Sequence, residues 1–337
     1  MKHPAHNRVR FPIPAIAVMA VMTCAACSPG RGAQQEDAPR EAAPPDAGPA
    51  ASETPLPPGE LSPAKPESEE AAAIDGLLSR GGRLLQERQF DLAVELFEGA
   101  MRDSRAAGES TRLTRSALGL AEALASQGRE PEAAALAAGT RKQRPAGPPT
   151  VDALRLAALE SALILALGRP LEAAPVARQA LDEADRHHPG DAFLRGLLVS
   201  SLTDALVATE GFAEAARLLD DHLSRPEVRS SLAPEEAAGW KEQAGRLHGA
   251  AGNFSVSVAR LEESLIERAA AGGDDPLPAA VIRISLAASL FDAGHPAQAR
   301  TEALAAHAAL SAALPADHPE RLRLAEVAAR IGVDLAE

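Results

Sequence analysis

The chain is 337 residues long, carries a formal net charge of −13, and contains one tryptophan, seven phenylalanines and no tyrosine. The acidic excess argues against a surface for nucleic acid or anionic lipid, and the few aromatic residues argue against a large β-sandwich. A core must be built mainly from alanine, leucine and valine, of which the first two favour helices. Both cysteines, Cys24 and Cys27, lie near the start, so the body of the chain has no thiol for a disulfide, a metal or a nucleophile.

Residues 1–27 have the pattern of a lipoprotein signal peptide. A short basic segment precedes an apolar stretch that is too short for a lasting membrane span. The sequence Cys24-Ala25-Ala26-Cys27 then resembles a bacterial lipobox, although Cys24 stands where that motif usually has leucine. The resemblance implies a covalent lipid on Cys27; the alternatives are an ordinary secreted protein or a retained N-terminal anchor. Ser28 follows instead of aspartate, which favours the outer membrane, facing the periplasm.

Residues 28–73 predict a disordered tether. The stretch 28–70 holds ten prolines and almost no large apolar side chains, and its acidic residues outnumber the basic ones nine to three. Such a segment cannot bury enough apolar area to offset the conformational entropy of the chain. Because proline favours an extended conformation, we expect a spacer that holds a folded domain away from the membrane.

Residues 74–315 repeat a pattern of two helices joined by a tight turn. A small residue follows each turn at intervals of 40, 40, 42, 42 and 42 residues, at Ala93, Ala133, Ala173, Ala215, Ser257 and Ala299. Another small residue stands twelve positions earlier in every unit, at Gly81, Ala121, Ser161, Thr203, Gly245 and Ala287. Because two helices cross closely only where the side chains are small, the pattern predicts six stacked helix pairs.

These repeats resemble the tetratricopeptide repeat. The clearest unit has the family's positions filled by Leu77, Gly81, Leu84, Phe90, Ala93, Phe97 and Ala100, and the 42-residue spacing resembles the longer repeats of kinesin light chain. The resemblance implies an all-α, right-handed superhelical solenoid that binds protein partners. Residues 316–337 predict a capping helix that covers the open end, with Asp317 as its N-cap and Gly332 at its end.

No catalytic or metal-binding motif stands out. The HExxH, GxSxG, Walker-type and paired GxGxxG patterns are absent from the sequence. His187, His188 and Asp191 come nearest to a metal site, and we interpret them as an inter-repeat turn with an aspartate cap. We interpret the lone helical histidines as surface or groove residues; they are His222, His248 and His307. We therefore expect no catalytic residue, no metal, and no cofactor other than the lipid on Cys27.

In the tetratricopeptide fold, the first helix of each pair lines the inner face of the solenoid. By the register of the repeats, the residues expected to point inward are Leu78, Leu85, Leu118, Glu122, Leu165, Ser200, Asp204, Glu242, Arg246, Ile284 and Phe291. They predict a groove of mixed apolar and acidic character for a protein segment. Packing between neighbouring repeats is the alternative role for many of them.

The expected function is a non-enzymatic scaffold or adaptor in the bacterial cell envelope. The lipid anchors it to the membrane, the tether sets its reach, and the solenoid offers an extended face to a protein partner. Neither nucleic acid nor a small-molecule substrate is expected. Two other functions fit the same architecture: a pilot lipoprotein that assembles an outer-membrane or secretion complex, and a regulatory subunit of an envelope enzyme.

Overall fold

The computed structural model describes residues 69–272 and 275–335; Cys27, the predicted signal peptide and the predicted tether up to residue 68 lie outside this part. Its helices are α1 (Glu69–Gln86), α2 (Phe90–Ala106), α3 (Ser110–Ser126), α4 (Glu130–Lys142), α5 (Val151–Ala166), α6 (Pro170–His187), α7 (Ala192–Ala208), α8 (Phe212–Ser224), α9 (Pro226–Ser231), α10 (Pro234–Ala250), α11 (Phe254–Ala270), α12 (Pro276–Asp292), α13 (Pro296–Ala313) and α14 (Pro319–Ile331). No strand occurs in these residues, and no helix among them is long and apolar enough to cross a bilayer.

Six helix pairs stack into a right-handed superhelical solenoid, and α14 closes its C-terminal end. The pairs are α1/α2, α3/α4, α5/α6, α7/α8, α10/α11 and α12/α13. The first helices α1, α3, α5 and α7 pack against one another in sequence, whereas no two second helices among the described residues share an interface of similar extent. The first helices therefore line the inner face, and the second helices form the outer one.

The helix pairs cross at the small residues that the repeat pattern predicts. Gly81, Gly245 and their counterparts in every pair are buried. Ser161 Oγ donates to the Ala173 carbonyl at 3.1 Å, and Ser257 Oγ donates to the Gly245 carbonyl at 2.7 Å. These hydrogen bonds join residues twelve positions apart, one on each helix of a pair. The predicted close crossing, and with it the all-α solenoid, is confirmed.

Two element boundaries differ from those predicted. Helix α1 begins at Glu69 and not at 74, because two acidic residues suit the positive end of a helix and Ala71 is buried in its first turn. The N-cap of α14 is His318 and not Asp317: its Nδ1 accepts from the backbone N–H of Glu320 at 3.3 Å, and the following proline takes the first helical position. Gly332 ends α14 in the left-handed conformation, with φ of 70°.

The turn between the third and fourth pairs is held by the residues that the sequence suggested. Asp191 Oδ1 accepts from the backbone N–H of Leu194 at 2.9 Å and so caps α7. A ring nitrogen of His188, Nε2, lies 2.8 Å from the Pro149 carbonyl oxygen of the preceding turn. The interpretation of this segment as an inter-repeat turn with an aspartate cap is confirmed.

Candidate functional site

The first helices carry three rows of residues along the inner face, and each row repeats every 40 or 42 positions. The leading row is Leu78, Leu118, Ala158, Ser200, Glu242 and Ile284. The middle row, four residues later, is Gly82, Glu122, Ala162, Asp204, Arg246 and Ala288. The trailing row, three residues later again, is Leu85, Ala125, Leu165, Val207, Gly249 and Phe291. Steps of four and three residues keep all three rows on one side of a helix, and they contain every predicted groove residue.

The leading row is mainly packing. Leu78, Leu118 and Ile284 are buried in the hydrophobic clusters between helices, because neighbouring helices close over this row. These three side chains therefore take the alternative role expected for this face, which is packing between neighbouring repeats. Ser200 and Glu242 of the same row are half-buried and keep some contact with solvent.

The trailing row supplies apolar surface that a partner can reach. Leu85, Leu165 and Phe291 are half-buried, packing against the core with part of each side chain open. Val207 is also half-buried and completes this row. It was absent from the predicted groove residues, although its position 42 residues after Leu165 identifies it.

The middle row places two carboxyl groups on the inner face without partners. Glu122 is only 3% exposed, and its Oε1 has no hydrogen-bond partner among the described residues. Burial raises the pKa of Glu122 to about 7; the nearby Arg155 opposes this rise and Asp152 adds to it. Asp204 is half-buried, and burial raises its pKa to about 6. Within the described part of the chain, the Asp204 carboxylate makes no hydrogen bond or ion pair.

Arginines on α3 and α5 pair with carboxyl groups other than that of Glu122. Arg115 Nε donates to Asp152 Oδ2 at 2.9 Å, and Arg155 Nη1 lies 3.9 Å from the other oxygen of Asp152. Nearer the N-terminus, Arg112 Nη2 donates to Asp75 at 2.7 Å. The Arg112–Asp75 and Arg115–Asp152 pairs join α3 to α1 and to α5, and neither arginine donates to Glu122 Oε1.

The C-terminal part of the inner face has an ion pair of its own. Arg246 Nη1 lies 3.9 Å from Glu242 Oε1. Burial raises the pKa of Glu242 and the Arg246 charge counteracts it, while burial and the Arg323 charge lower the pKa of Arg246. This end of the face is therefore closer to electrically balanced than the part around Glu122 and Asp204.

Two of the lone histidines are buried and hydrogen-bonded, which corrects their interpretation as surface or groove residues. His222 Nδ1 accepts from Arg195 Nη1 at 2.9 Å, and its ring packs on Trp240 with centroids 4.8 Å apart. The buried Arg195 also donates to Asp185 at 2.9 Å and Asp221 at 2.6 Å, so this cluster joins α6, α7, α8 and α10. His248 Nε2 lies 2.8 Å from an Asp220 oxygen, and His307 is half-buried.

A small cavity of about 80 Å³ lies between α3, α4, α5 and α6, away from the three rows. Its charged lining is already paired: Arg141 Nε donates to Glu160 at 2.7 Å, and Arg144 Nη1 donates to Glu183 at 2.9 Å. Among residues 69–272 and 275–335, no group of three or more His, Cys, Asp or Glu residues is arranged to hold a metal. The inner face is therefore the candidate site.

Comparisons with known proteins bear on the fold. No protein-family model and no curated protein matches the chain. The chain is similar to the nearly identical tetratricopeptide-like repeats of a Podosopora anserina protein classed as a kinesin light chain, at 18% identity and a TM-score of 0.52, over 60% of this chain and 97% of that one. It is also similar to BtubC (BKLC) of P. vanneervenii, at 17% identity and a TM-score of 0.51, over 71% and 92% of the two chains. The chain thus has the tetratricopeptide-repeat solenoid fold, and the predicted resemblance to the kinesin-light-chain type is confirmed at the level of the fold.

Proposed function

We propose that this protein is a non-enzymatic scaffold or adaptor that binds a protein partner on the inner face of its solenoid. One observation carries the proposal: a single face combines the half-buried apolar side chains of the trailing row with the unpartnered carboxyl groups of the middle row. Covering the apolar atoms stabilises a complex, and the carboxyl groups select what the partner presents beside them. The face is continuous across α1, α3, α5 and α7, which suits an extended segment better than a small molecule.

The proposal includes a membrane anchor. The lipobox-like sequence that ends at Cys27 supports lipidation of this residue, and Ser28 after it supports the outer membrane, facing the periplasm. Each buried CH₂ of an acyl chain contributes about 0.8 kcal/mol, so several chains on one residue hold a protein stably. Confinement to the membrane raises the local concentration of the inner face, so moderate affinity for a partner suffices.

Membrane pull-down of the tagged full-length protein beside a Cys27→Ala form tests this function. We expect the wild type in the outer-membrane fraction with a defined partner, and the variant in the soluble fraction. Cys24→Ala is the matched control and should behave like the wild type. One dominant outer-membrane partner would identify an assembly role, whereas several partners would identify a general adaptor. If both Cys27 forms are soluble and bring down nothing, the proposal fails.

A further inference from the structure

We propose that the inner face takes up an extended segment of the partner that carries lysine or arginine side chains, which bind Glu122 and Asp204. The inference rests on the proposed function and adds the chemistry of the partner. It also names two residues of the middle row as the groups that determine specificity.

Glu122 is the first residue on which the inference rests. Its side chain is only 3% exposed, and its Oε1 has no hydrogen-bond donor among the described residues. A buried carboxyl group without a donor destabilises the folded chain, because the water that it loses is not replaced. Arg155, the nearest cation, has its guanidinium beside Asp152. A donor from another protein would satisfy this oxygen.

Asp204 is the second residue on which the inference rests; it stands two repeats along the same row, is half-buried, and is more open to solvent than Glu122. It has no hydrogen bond or ion pair in the described part of the chain. Ala162 stands between the two acids in the middle row, and the half-buried Leu165 and Val207 of the trailing row stand three positions after Ala162 and Asp204. A segment laid along the stack would meet a carboxylate, an apolar step and a second carboxylate.

Charge decides which segment fits. With a net charge of −13, the chain repels an acidic segment and a second copy of itself. Its own residues 28–70 are acidic by nine to three, so they do not supply the cations. A lysine or arginine side chain donates hydrogen bonds and carries a positive charge, and both match a desolvated carboxylate. The occupant is therefore a cationic segment of another protein.

The raised pKa values add a property that can be measured. A cation favours the ionised carboxylate, so binding should release protons and strengthen as pH rises from 5 to 8. The charged groups that act on Glu122 are Arg155 and Asp152, both on α5. The pKa of Asp204 is raised by burial alone.

Peptide binding to the full chain in detergent tests the inference. The probes are fluorescent nine-residue peptides with a Leu/Ala framework and two variable positions, which hold Lys, Arg, Gln or Glu at several spacings. We expect the wild type to bind the best Lys or Arg peptide about tenfold more tightly than its Gln counterpart. The Glu122→Gln/Asp204→Asn variant should lose this preference and its pH dependence.

The matched control is Glu95→Gln/Asp182→Asn, which removes the same charge from exposed positions on the second helices α2 and α6. It should keep the preference. Equal weakening in both variants would show long-range charge alone, and a preference for Gln or Glu would show another specificity; either overturns the inference and leaves the scaffold proposal standing. Binding of no peptide also overturns it, while the membrane pull-down judges the scaffold separately. Thermal melts of both variants exclude unfolding.

Discussion

At the scale of single residues, the burial of Glu122 makes the stability of the fold depend on pH. Its pKa is about 7 in the folded chain and 4.5 in the reference state, so its stabilising contribution is complete below pH 4.5 and is lost as pH rises through 7. We predict that Glu122→Gln is more stable than the wild type at pH 8. The difference between their free energies of unfolding should change by about 3 kcal/mol in favour of the variant between pH 4 and pH 8. Urea unfolding at each pH measures this, with Glu95→Gln as the control.

His222 gives a second prediction, of opposite sign. Burial, with Arg195 and Arg225, lowers its pKa from 6.5 to about 4 in the folded chain. The stabilising contribution of the neutral ring is therefore complete above pH 6.5 and is lost as pH falls through 4. We predict that the wild type loses about 3 kcal/mol over this range relative to His222→Asn, whose side-chain oxygen can accept from Arg195. Unfolding of the two proteins, followed by Trp240 fluorescence at each pH, measures this difference. Equal changes in their free energies of unfolding with pH would contradict the prediction.

The two acids could be placed from the sequence, but their lack of partners could not. The repeat register puts Glu122 and Asp204 on the first helices, since they stand at equivalent positions. Whether a carboxyl group is paired depends on cations from other helices. Arg115 and Asp152, for example, form a hydrogen bond although 37 positions separate them in the sequence. The Arg195 cluster was missed for the same reason, because its members come from separate helices.

At the scale of elements, one aromatic ring sets the fit of the first three helices. The ring of Phe97 on α2 lies between Gly81 of α1 and Gly119 of α3, and a methyl group on Gly119 would come within 2.3 Å of it. We predict that Gly119→Ala lowers the free energy of unfolding by about 1–3 kcal/mol, because the ring or a helix must move. Phe97→Leu in the same chain should recover part of this loss in a double-mutant cycle.

Gly139→Ala is the control for that cycle. Gly139 lies within α4, and a methyl group there would meet nothing within 4 Å. Because alanine favours a helix interior over glycine, the control should gain about 0.5–1 kcal/mol. Similar destabilisation at both glycines would show that the loss at Gly119 does not come from the fit against Phe97.

The long helices could be predicted from the sequence, whereas α9 could not. Six residues, Pro226–Ser231, are too few for a periodic pattern, and Pro226 and Pro234 suggest only a break. In the structure, Val228 is buried and α9 packs against α7 and α8. Helix α10 then packs against α8. Its contact with α7 is far smaller than the contact between α5 and α7. Asp204 lies on α7, the first helix of the pair at which this change in packing occurs.

At the scale of the whole molecule, the architecture is predictable because each repeat contacts mainly its neighbours. A regular spacing of small residues then determines the fold without knowledge of distant contacts. The residues of the inner face can be predicted from the same register, but how many of them remain exposed to solvent cannot. Leu78, Leu118 and Ile284 fit the register as well as Leu165 does, yet helix packing buries all three.

Site-specific photo-crosslinking tests binding on the inner face most directly. Benzoylphenylalanine would replace Leu165 or Val207 on the inner face, and Leu171 or Val256 on the second helices, where the native side chains are 79% and 41% exposed. We predict that irradiated cells yield the same crosslinked partner from both inner positions and none from the outer ones. A partner crosslinked from positions 171 or 256, with none from 165 or 207, would contradict the account and place binding on the outer face.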